Sequence, residues 1–402
     1  MSISFPSSFL WGSSISSYQV EGGTTNNDWY AWEQKKGLPP CGEACRHYQL
    51  YPEDFKLAHA LGHNALRLSL EWSRIHPHKD TFSEEEISHY RGVIAALRQY
   101  NLTPLITLHH FTNPLWFYKQ GGWLNPEGVD LFIKYVIKMA EAFKEQVAFW
   151  IVFNEPYVYI YKGFLEGAWP PGYTSHKDAR RAQAHIVKAY LLAYQELKNI
   201  YGENPSYISI AKHMRIFSPC PYYNLGQNTF FSFMRSRIFN YSLIDYLRRR
   251  RTLDFLGLNY YCREYVSSSF NLFGKECRRA HHKNRQNTLG WYLYPRGLYH
   301  LLLRLKSYGL PILITENGTS CVREEEYEQF LVAHIQAVGE ALQRGVEVWG
   351  YMWWSLLDNF EWDKGYDHRF GLIRVNFENF ERSLKPFADT YKKISQSNEI
   401  SI

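Results

Sequence analysis

The sequence predicts an α/β fold, a single (β/α)8 TIM barrel over residues 1–402, with its functional residues at the C-terminal ends of the strands. Two observations support this fold class. Short runs rich in Ile, Val, Leu and aromatic residues recur along the chain, and a longer amphipathic stretch follows most of them. Polar residues collect where the short runs end, which is where barrel enzymes carry their chemistry.

The short runs predict parallel strands. Most of them lack strict alternation of polar and apolar residues, as expected of strands that are buried on both faces. In chain order, the predicted strands are residues 9–17, 65–72, 103–110, 148–154, 207–213, 253–261, 312–315 and 348–355.

The amphipathic stretches predict the helices that cover the sheet. In residues 126–145 the apolar side chains fall close to one helical face, and Pro126 suits a first helical turn. Residues 179–200 and 324–344 have the same pattern. Two long connections, 215–251 and 262–290, are expected to be functional or mobile loops.

Two other architectures are possible for a chain of this length and pattern. A chain of 402 residues is long enough for two or three domains of ~150 residues, but no linker or change of composition marks a boundary. A doubly wound open sheet requires a glycine-rich phosphate turn after its first strand, and the sequence has none.

Composition excludes several classes of protein. With 45% hydrophobic and 21% charged residues the chain is not disordered, and no apolar run approaches the ~18 residues of a membrane span. The net charge of +6 is concentrated in residues 248–251 and 278–285. No nucleic-acid-binding module surrounds these runs, so we interpret them as solvated surface. Aromatic residues make up 17% of the chain, which predicts either a large core or a cleft walled by rings.

The six cysteines are widely spaced and form no CxxC pair. They are expected to be mostly reduced thiols of an intracellular protein. The first residues lack the positive charge and apolar core of a secretory signal, so the predicted location is cytoplasmic. The oligomeric state is left open.

Two carboxylates lie at the ends of predicted strands, together with amide, guanidinium, phenol and indole groups. A pair of carboxyl groups is what glycoside hydrolysis requires. A zinc site at His109, His110 and Glu155 lacks any known ligand spacing, and a serine hydrolase would need a GxSxG motif that is absent.

At these residues the sequence closely resembles glycoside hydrolase family 1, the family of retaining β-glucosidases and related β-glycosidases. The resemblance covers nearly the whole chain and implies a (β/α)8 barrel. Its blocks are residues 5–12, 17–22, 67–75, 107–110, 154–156, 256–261, 314–318 and 354–362.

The resemblance also implies roles for single residues. Glu155 matches the general acid/base, Glu316 matches the nucleophile, and Arg67 and Tyr261 match the neighbours that support the nucleophile. The expected substrate-binding residues are Gln19, His110, Asn154, Asn259, Tyr261, Trp291, Trp354, Glu361 and Trp362. The family requires no cofactor and no catalytic metal, and the expected partner is a small β-glycoside or oligosaccharide.

The implied activity is hydrolysis of terminal β-D-glucosyl residues through a covalent intermediate, with galactosides and fucosides as further candidate substrates. A retaining mechanism requires the two carboxyl groups to stand ~5–5.5 Å apart. Arg67 and Tyr261 should keep Glu316 ionised, and its charge should raise the pKa of Glu155. An ionised Glu361 would accept hydrogen bonds from two sugar hydroxyls and repel a sugar phosphate.

The resemblance further suggests a cis peptide bond between Trp354 and Ser355. Phe111, Thr112 and Asn113 depart from the family's usual Trp-Asp-Leu, which leaves the sugar and aglycone preference open. Transglycosylation through the same intermediate stays an alternative. A catalytically silent carbohydrate-binding barrel is a second alternative, disfavoured because both carboxylates are present in their motifs.

Overall fold

Eight parallel strands close into a barrel in the computed structural model, which describes residues 2–222, 224–269, 275–277, 280 and 286–401. Each strand pairs with the next in chain order, and the last pairs with the first. The predicted barrel is therefore confirmed. The strands are β1 (Leu10–Ser14), β2 (Ala65–Ser69), β3 (Thr103–His109), β4 (Phe149–Asn154), β5 (Tyr207–Pro219), β6 (Leu256–Ser267), β7 (Ile312–Asn317) and β8 (Val348–Trp354).

Helices cover the outside of the barrel. The helices that follow the strands are α1 (His47–Ala60), α2 (Glu84–Gln99), α3 (Glu127–Phe143), α4 (His176–Tyr201), α5 (Ser242–Arg249), α6 (Pro295–Lys306), α7 (Glu324–Gln343) and α8 (Pro386–Ser397). The three helices predicted from amphipathic stretches correspond to α3, α4 and α7. Further α-helices occupy Ser17–Val20, Asp28–Lys36, Trp72–Ile75, Leu115–Lys119, Pro156–Ile160 and Leu225–Ser236.

The remaining elements are short. Ser2–Ser4 pairs with Glu399–Ser401, Ile373–Val375 pairs with Arg382–Leu384, and Lys275–Glu276 adds to β6, all antiparallel. Gly122–Leu124 and Trp362–Lys364 form 3-10 turns, while Tyr161–Glu166 and Arg237–Tyr241 are π-helical.

Apolar side chains pack on both faces of the strands. Successive residues of a strand point to opposite faces, so Leu105 of β3 lies inside the barrel and Ile106 lies against the helices. Inside, one layer fills the end of the barrel from which the strands start. It consists of Ala65, Leu105, Ile151, Ala211, Phe255, Leu313 and Met352. This two-sided burial explains the continuous apolar runs in the sequence.

Strands β5 and β6 run beyond their predicted ends and pair with each other as far as Pro219 and Val266. Just past this extension, Cys220 forms a disulfide with Cys277. The other four cysteines, Cys41, Cys45, Cys262 and Cys321, are free thiols. The expectation of mostly reduced thiols therefore holds for these four cysteines and not for Cys220 and Cys277. These two are 57 residues apart in the sequence.

Residues 215–251 are largely ordered as the end of β5, the helix Leu225–Ser236, a π-helical turn and α5, rather than as the predicted loop. Arg248 and Arg249 end α5, where positive charge is favourable near the helix carbonyls. The second basic run, 278–285, lies outside the described residues except for Ala280. Among the described helices, none has the length and apolar character needed to cross a membrane.

Candidate active site

Polar side chains converge where the barrel strands end. Arg67 lies on β2, Asn154 ends β4, Glu155 follows it directly, and Glu316 lies near the end of β7. All four are buried. The barrel therefore brings both predicted carboxylates to one end of its interior.

Glu316 is held by two donors. A guanidinium nitrogen of Arg67, Nη1, forms an ion pair with Oε1, and the Tyr261 hydroxyl donates to Oε2 over 2.6 Å. The other two guanidinium nitrogens of Arg67 also donate: Nε to Thr107 Oγ1 at 3.1 Å and Nη2 to Asn154 Oδ1 at 2.8 Å. Each carboxylate oxygen of Glu316 thus has a fixed partner, which orients the group.

Glu155 is held by different chemistry. Its Oε1 accepts a hydrogen bond from Asn259 Nδ2 at 2.8 Å and lies 3.0 Å from His213 Nδ1. Its backbone has φ of 42°, the left-handed region, between the end of β4 and Pro156. A non-glycine residue in this region costs about 1–3 kcal/mol and persists only where the surroundings enforce it.

A chain of amides connects the two carboxylates. Asn259 Nδ2 also lies 3.2 Å from Asn154 Oδ1, the same oxygen that Arg67 contacts. Thr315 Oγ1 donates to Asn259 Oδ1 at 2.6 Å, which turns the Asn259 nitrogen toward Glu155. The predicted separation of the carboxyl groups stays a prediction.

Both carboxyl groups have shifted pKa values. Burial raises the pKa of Glu316 to about 7; Arg67 opposes this rise and the Glu155 charge adds to it. The pKa of Glu155 is lowered, because His213, Asn259 and the Lys212 ammonium together outweigh the effect of burial. The ion pair with Arg67 and the hydrogen bond from Tyr261 both favour the ionised form of Glu316. The predicted assignment of the proton to Glu155 stays a prediction.

Aromatic rings form one wall of the site. The His110 ring lies nearly parallel to Trp354 and Trp362, with centroids 5.9 and 6.2 Å away. The Trp354–Ser355 peptide bond is cis, as predicted. Trp291 packs against Tyr261 with centroids 5.3 Å apart.

His110 has a defined tautomer. Asn154 Oδ1 accepts from Arg67, so its Nδ2 is the donor that lies 3.1 Å from His110 Nε2. Burial holds the pKa of His110 well below its usual value, and the neutral ring therefore carries its hydrogen on Nδ1. Within the described part of the chain this buried Nδ1 has no partner, so it is available to donate to a ligand.

Glu361 has a raised pKa. Burial raises its pKa to about 8, and the charges of Asp363, Glu316 and Glu155 contribute to the rise. Its protonated form can donate one hydrogen bond, whereas its ionised form only accepts. Its Oε2 is a second buried atom with no partner among the described residues.

Gln19 is committed to the protein rather than free for a sugar. Its Nε2 donates to the Phe360 carbonyl at 2.7 Å and lies 3.1 Å from Asn359 Oδ1. Its Oε1 accepts from Ser16 Oγ at 2.6 Å. Both amide hydrogens are therefore used to hold the segment after β8, and only the oxygen retains a free lone pair.

The residues that depart from the family pattern anchor the segment after β3. Thr112 Oγ1 donates to Glu71 at 3.1–3.2 Å, and Asn113 donates from its backbone and its side chain to Asp28 at 2.9 and 2.8 Å. Phe111 packs against Trp362, with centroids 5.2 Å apart. Phenylalanine offers no polar hydrogen at this position, whereas tryptophan would.

Lys212, His213 and Arg215 were missed by the sequence argument. Polar residues were sought at the end of every predicted strand except the fifth, although His213 ends that run in the sequence. The same rule applied to β5 would have found His213.

His109, one of the three residues considered above for a zinc site, contacts a neighbouring side chain. Its Nε2 lies 3.0 Å from Asn113 Oδ1, inside the segment that follows β3. Over the described ranges, no group of three or more His, Cys, Asp or Glu side chains is arranged to hold a metal ion.

Comparison with known proteins agrees with this geometry. The chain matches Glycosyl hydrolase family 1 over residues 1–243 and 235–400. It is 30% identical to a 1,4-beta-D-glucan glucohydrolase of Thermotoga neapolitana, covering 99% of both chains, and 29% identical to a beta-galactosidase of Pyrococcus woesei, covering 94% of both. A solved beta-glycosidase from Pyrococcus horikoshii superposes with a TM-score of 0.93 at 35% identity, over 100% of this chain and 97% of that one. The chain therefore belongs to glycosyl hydrolase family 1.

Proposed function

We propose that this chain is a retaining β-glycosidase that removes terminal non-reducing β-D-glucosyl residues, with galactosides and fucosides as further substrates. Residues 1–402 act as one catalytic domain in the cytoplasm, with Glu316 as nucleophile, Glu155 as acid/base and no cofactor. The observation that carries the proposal is that one continuous set of contacts connects the two carboxyl groups. It runs from Glu316 through Arg67, Asn154 and Asn259 to Glu155, and Tyr261 holds Glu316 from the other side.

In the first half-reaction, an ionised Glu316 attacks the anomeric carbon while Glu155 gives its proton to the departing oxygen. Arg67 and the Tyr261 hydroxyl stabilise the attacking carboxylate. Of the two one-proton forms of the pair, the reactive one has Glu316 ionised and the proton on Glu155.

In the second half-reaction, water attacks the glycosyl ester and Glu155 takes its proton. The charge of Glu316 raises the pKa of neighbouring carboxyl groups, and esterification removes this charge. The hydrogen bonds from Asn259 and His213 remain and favour the ionised form of Glu155. Glu155 is then ready to act as a base.

The sugar is held by the wall of the site. Trp354 supplies an apolar face for the pyranose ring, and Trp362 lines the same wall beside His110. The unpartnered His110 Nδ1 and Glu361 Oε2 provide a donor and a polar oxygen for hydroxyl groups. Trp291, beside Tyr261, is proposed to contact the aglycone.

The names of the relatives support a small β-glycoside as substrate and leave the sugar open. One is named for glucan, one for galactose and one as a beta-glycosidase. A silent binding barrel is disfavoured, because such a protein has no need to orient two carboxylates. Transfer to a second sugar shares the intermediate and is the alternative outcome of the same chemistry.

The first experiment is a rate panel on aryl β-glycosides of different sugars, with the product anomer followed by NMR. We expect the β-anomer to appear first and the glucoside to be cleaved fastest. Initial release of the α-anomer would overturn the retaining assignment. A 6-phosphoglucoside included in the panel should react more slowly than its parent glucoside. The ratio of methyl glycoside to free sugar formed in added methanol measures transfer against hydrolysis.

Azide distinguishes the two glutamates. In Glu155→Ala, azide needs no base and should attack the covalent intermediate to give a β-glycosyl azide. In Glu316→Ala, azide should attack the open face directly and give the α-azide. The swapped pattern of products would reverse the proposed roles of the two residues.

A further inference from the structure

A buried basic cluster on β5 lies behind the proposed acid/base. The His213 ring contacts Glu155 through Nδ1 at 3.0 Å, and Arg215 Nε donates to the other ring nitrogen, Nε2, at 2.8 Å. The ring is buried, with 4% of its surface exposed. Carboxylate, imidazole and guanidinium therefore form a continuous line.

The guanidinium determines which nitrogen of His213 carries the hydrogen. The Nε–H group of arginine can only donate, so His213 Nε2 must accept. A neutral ring then carries its hydrogen on Nδ1, which points at Glu155. Protonation of the ring would bring Nε2–H against Arg215 Nε–H, so the geometry keeps the ring neutral.

Arg215 is itself fixed. Its Nη1 contacts Glu264 Oε2 at 3.0 Å, and the other oxygen of Glu264 pairs with Arg235 at 2.9 Å. The Asn240 side chain bonds both the backbone nitrogen and the carbonyl of Arg215, at 3.1 and 2.8 Å. This support comes from β6 and from the helical segments after β5, so His213 cannot turn freely.

We propose that His213 and Arg215 form a positioning pair that donates a hydrogen bond to the ionised carboxylate of Glu155 and so favours its base form over its acid form. The inference rests on the proposed role of Glu155. It predicts that the pair assists the water step and limits proton donation to the leaving group. Aglycones that leave without a proton, such as phenols of low pKa, should therefore suit the enzyme better than alkyl alcohols.

Other titratable groups act on Glu155 as well. They are Lys212 of β5, Tyr261 and Cys262 of β6, Glu316 of β7 and Glu361 after β8. His213→Phe leaves all of these groups in place, so a shift in Glu155 titration in that variant reports the hydrogen bond from the ring. Arg215→Met also removes a positive charge that acts on Glu155 and on Lys212, and its shift includes that effect.

The expected sign follows from the role of the acid. Cleavage of the first bond needs a protonated Glu155, so kcat/KM falls as pH rises through the pKa of Glu155. A donor to the carboxylate lowers this pKa. Without the donor, the alkaline limb of the profile should move to higher pH, by about one pH unit.

The test compares three variants with the wild-type enzyme. His213→Phe removes the donor, Arg215→Met removes the group that sets the tautomer, and His213→Asn retains an N–H near the position of Nδ1. We expect the alkaline limb to move upward in the first two and to remain near the wild-type position in the third. In the two variants whose alkaline limb moves upward, the rate for an alkyl glucoside relative to a dinitrophenyl glucoside at neutral pH should also rise.

A titration without turnover separates this inference from the proposed function. In protein labelled with carbon-13 at the glutamate carboxyls, the Glu155 signal is identified by its loss in Glu155→Gln. If the wild-type protein cleaves no glycoside, the proposed function fails, and the titration still measures the pKa of Glu155. An unchanged Glu155 pKa in both His213→Phe and Arg215→Met would overturn the inference, and so would an equal shift in His213→Asn.

Discussion

The two ends of the barrel interior are made by the same strands and differ completely in chemistry. On β2, Ala65 belongs to the apolar layer and Arg67 to the carboxylate network. On β7, Leu313 belongs to the apolar layer and Glu316 to the carboxylate network. Two or three residues along a strand separate a packed hydrocarbon layer from a set of buried charges. Stability and catalysis should therefore respond most strongly to different substitutions.

The largest expected effect is on activity at the polar end. Glu316→Gln retains the shape of the side chain and removes the nucleophile, so kcat/KM should fall by roughly 10⁴-fold or more. The melting temperature should fall little, because the amide keeps the shape of the side chain and its oxygen can still accept a hydrogen bond from Arg67. Steady-state kinetics and calorimetry measure the two effects. Glu127→Gln on the outside of α3 is the matched control and should change neither.

The next effect depends on the leaving group. Glu155→Ala removes proton donation, which is worth about 10²–10⁴-fold, so an alkyl glucoside should lose that factor. A dinitrophenyl glucoside should still form the intermediate rapidly and show a burst, because its leaving group needs no proton. Stopped-flow release of dinitrophenol measures the burst. Equal losses for both substrates would contradict the acid role.

At the apolar end, the expected effect is on stability. Leu105→Ala empties part of the fully buried inner layer, which should cost about 2–5 kcal/mol of unfolding free energy. The carboxylate network remains intact, so kcat/KM for an aryl glucoside should be unchanged below the melting temperature. Leu384→Ala, at a side chain that is 40% exposed, is the control and should cost far less. A large fall in kcat/KM for Leu105→Ala would show that the two ends are coupled.

The smallest effect is a pH dependence at the polar end. In the unfolded chain Glu361 loses its proton near its ordinary pKa, whereas burial raises the folded pKa to about 8. Between these values the unfolded chain binds fewer protons, so stability should fall as pH rises, by less than about 1.4 kcal/mol per pH unit from this group. Glu361→Gln should make the decline shallower. Urea unfolding at several pH values measures the slope, and the exposed Glu378→Gln should leave it unchanged.

The fold was predictable because strands buried on both faces have continuous apolar runs. The extensions of β5 and β6 were not, because beyond the barrel their residues are partly exposed and read like loop sequence. The disulfide was missed for the same reason, since this extension is what brings Cys220 toward Cys277.

The candidate site divides in a similar way. Motifs predicted Glu155 and Glu316 correctly as residues that the barrel brings together, but not the contact that Glu155 makes with β5. That contact comes from His213, which is 58 residues from Glu155 in the sequence and is placed by the pairing of β4 with β5. Likewise, the commitment of Gln19 to Phe360 depends on contacts between the two ends of the chain.

The left-handed backbone of Glu155 has an evolutionary consequence. Alanine and glutamine inherit the same conformational cost, whereas glycine relieves it and asparagine bears it more easily. Selection for turnover is thus what retains glutamate against a standing thermodynamic preference for another residue. In descendants no longer selected for turnover, this position should drift toward glycine or asparagine early, and those proteins should be more stable than their active ancestor.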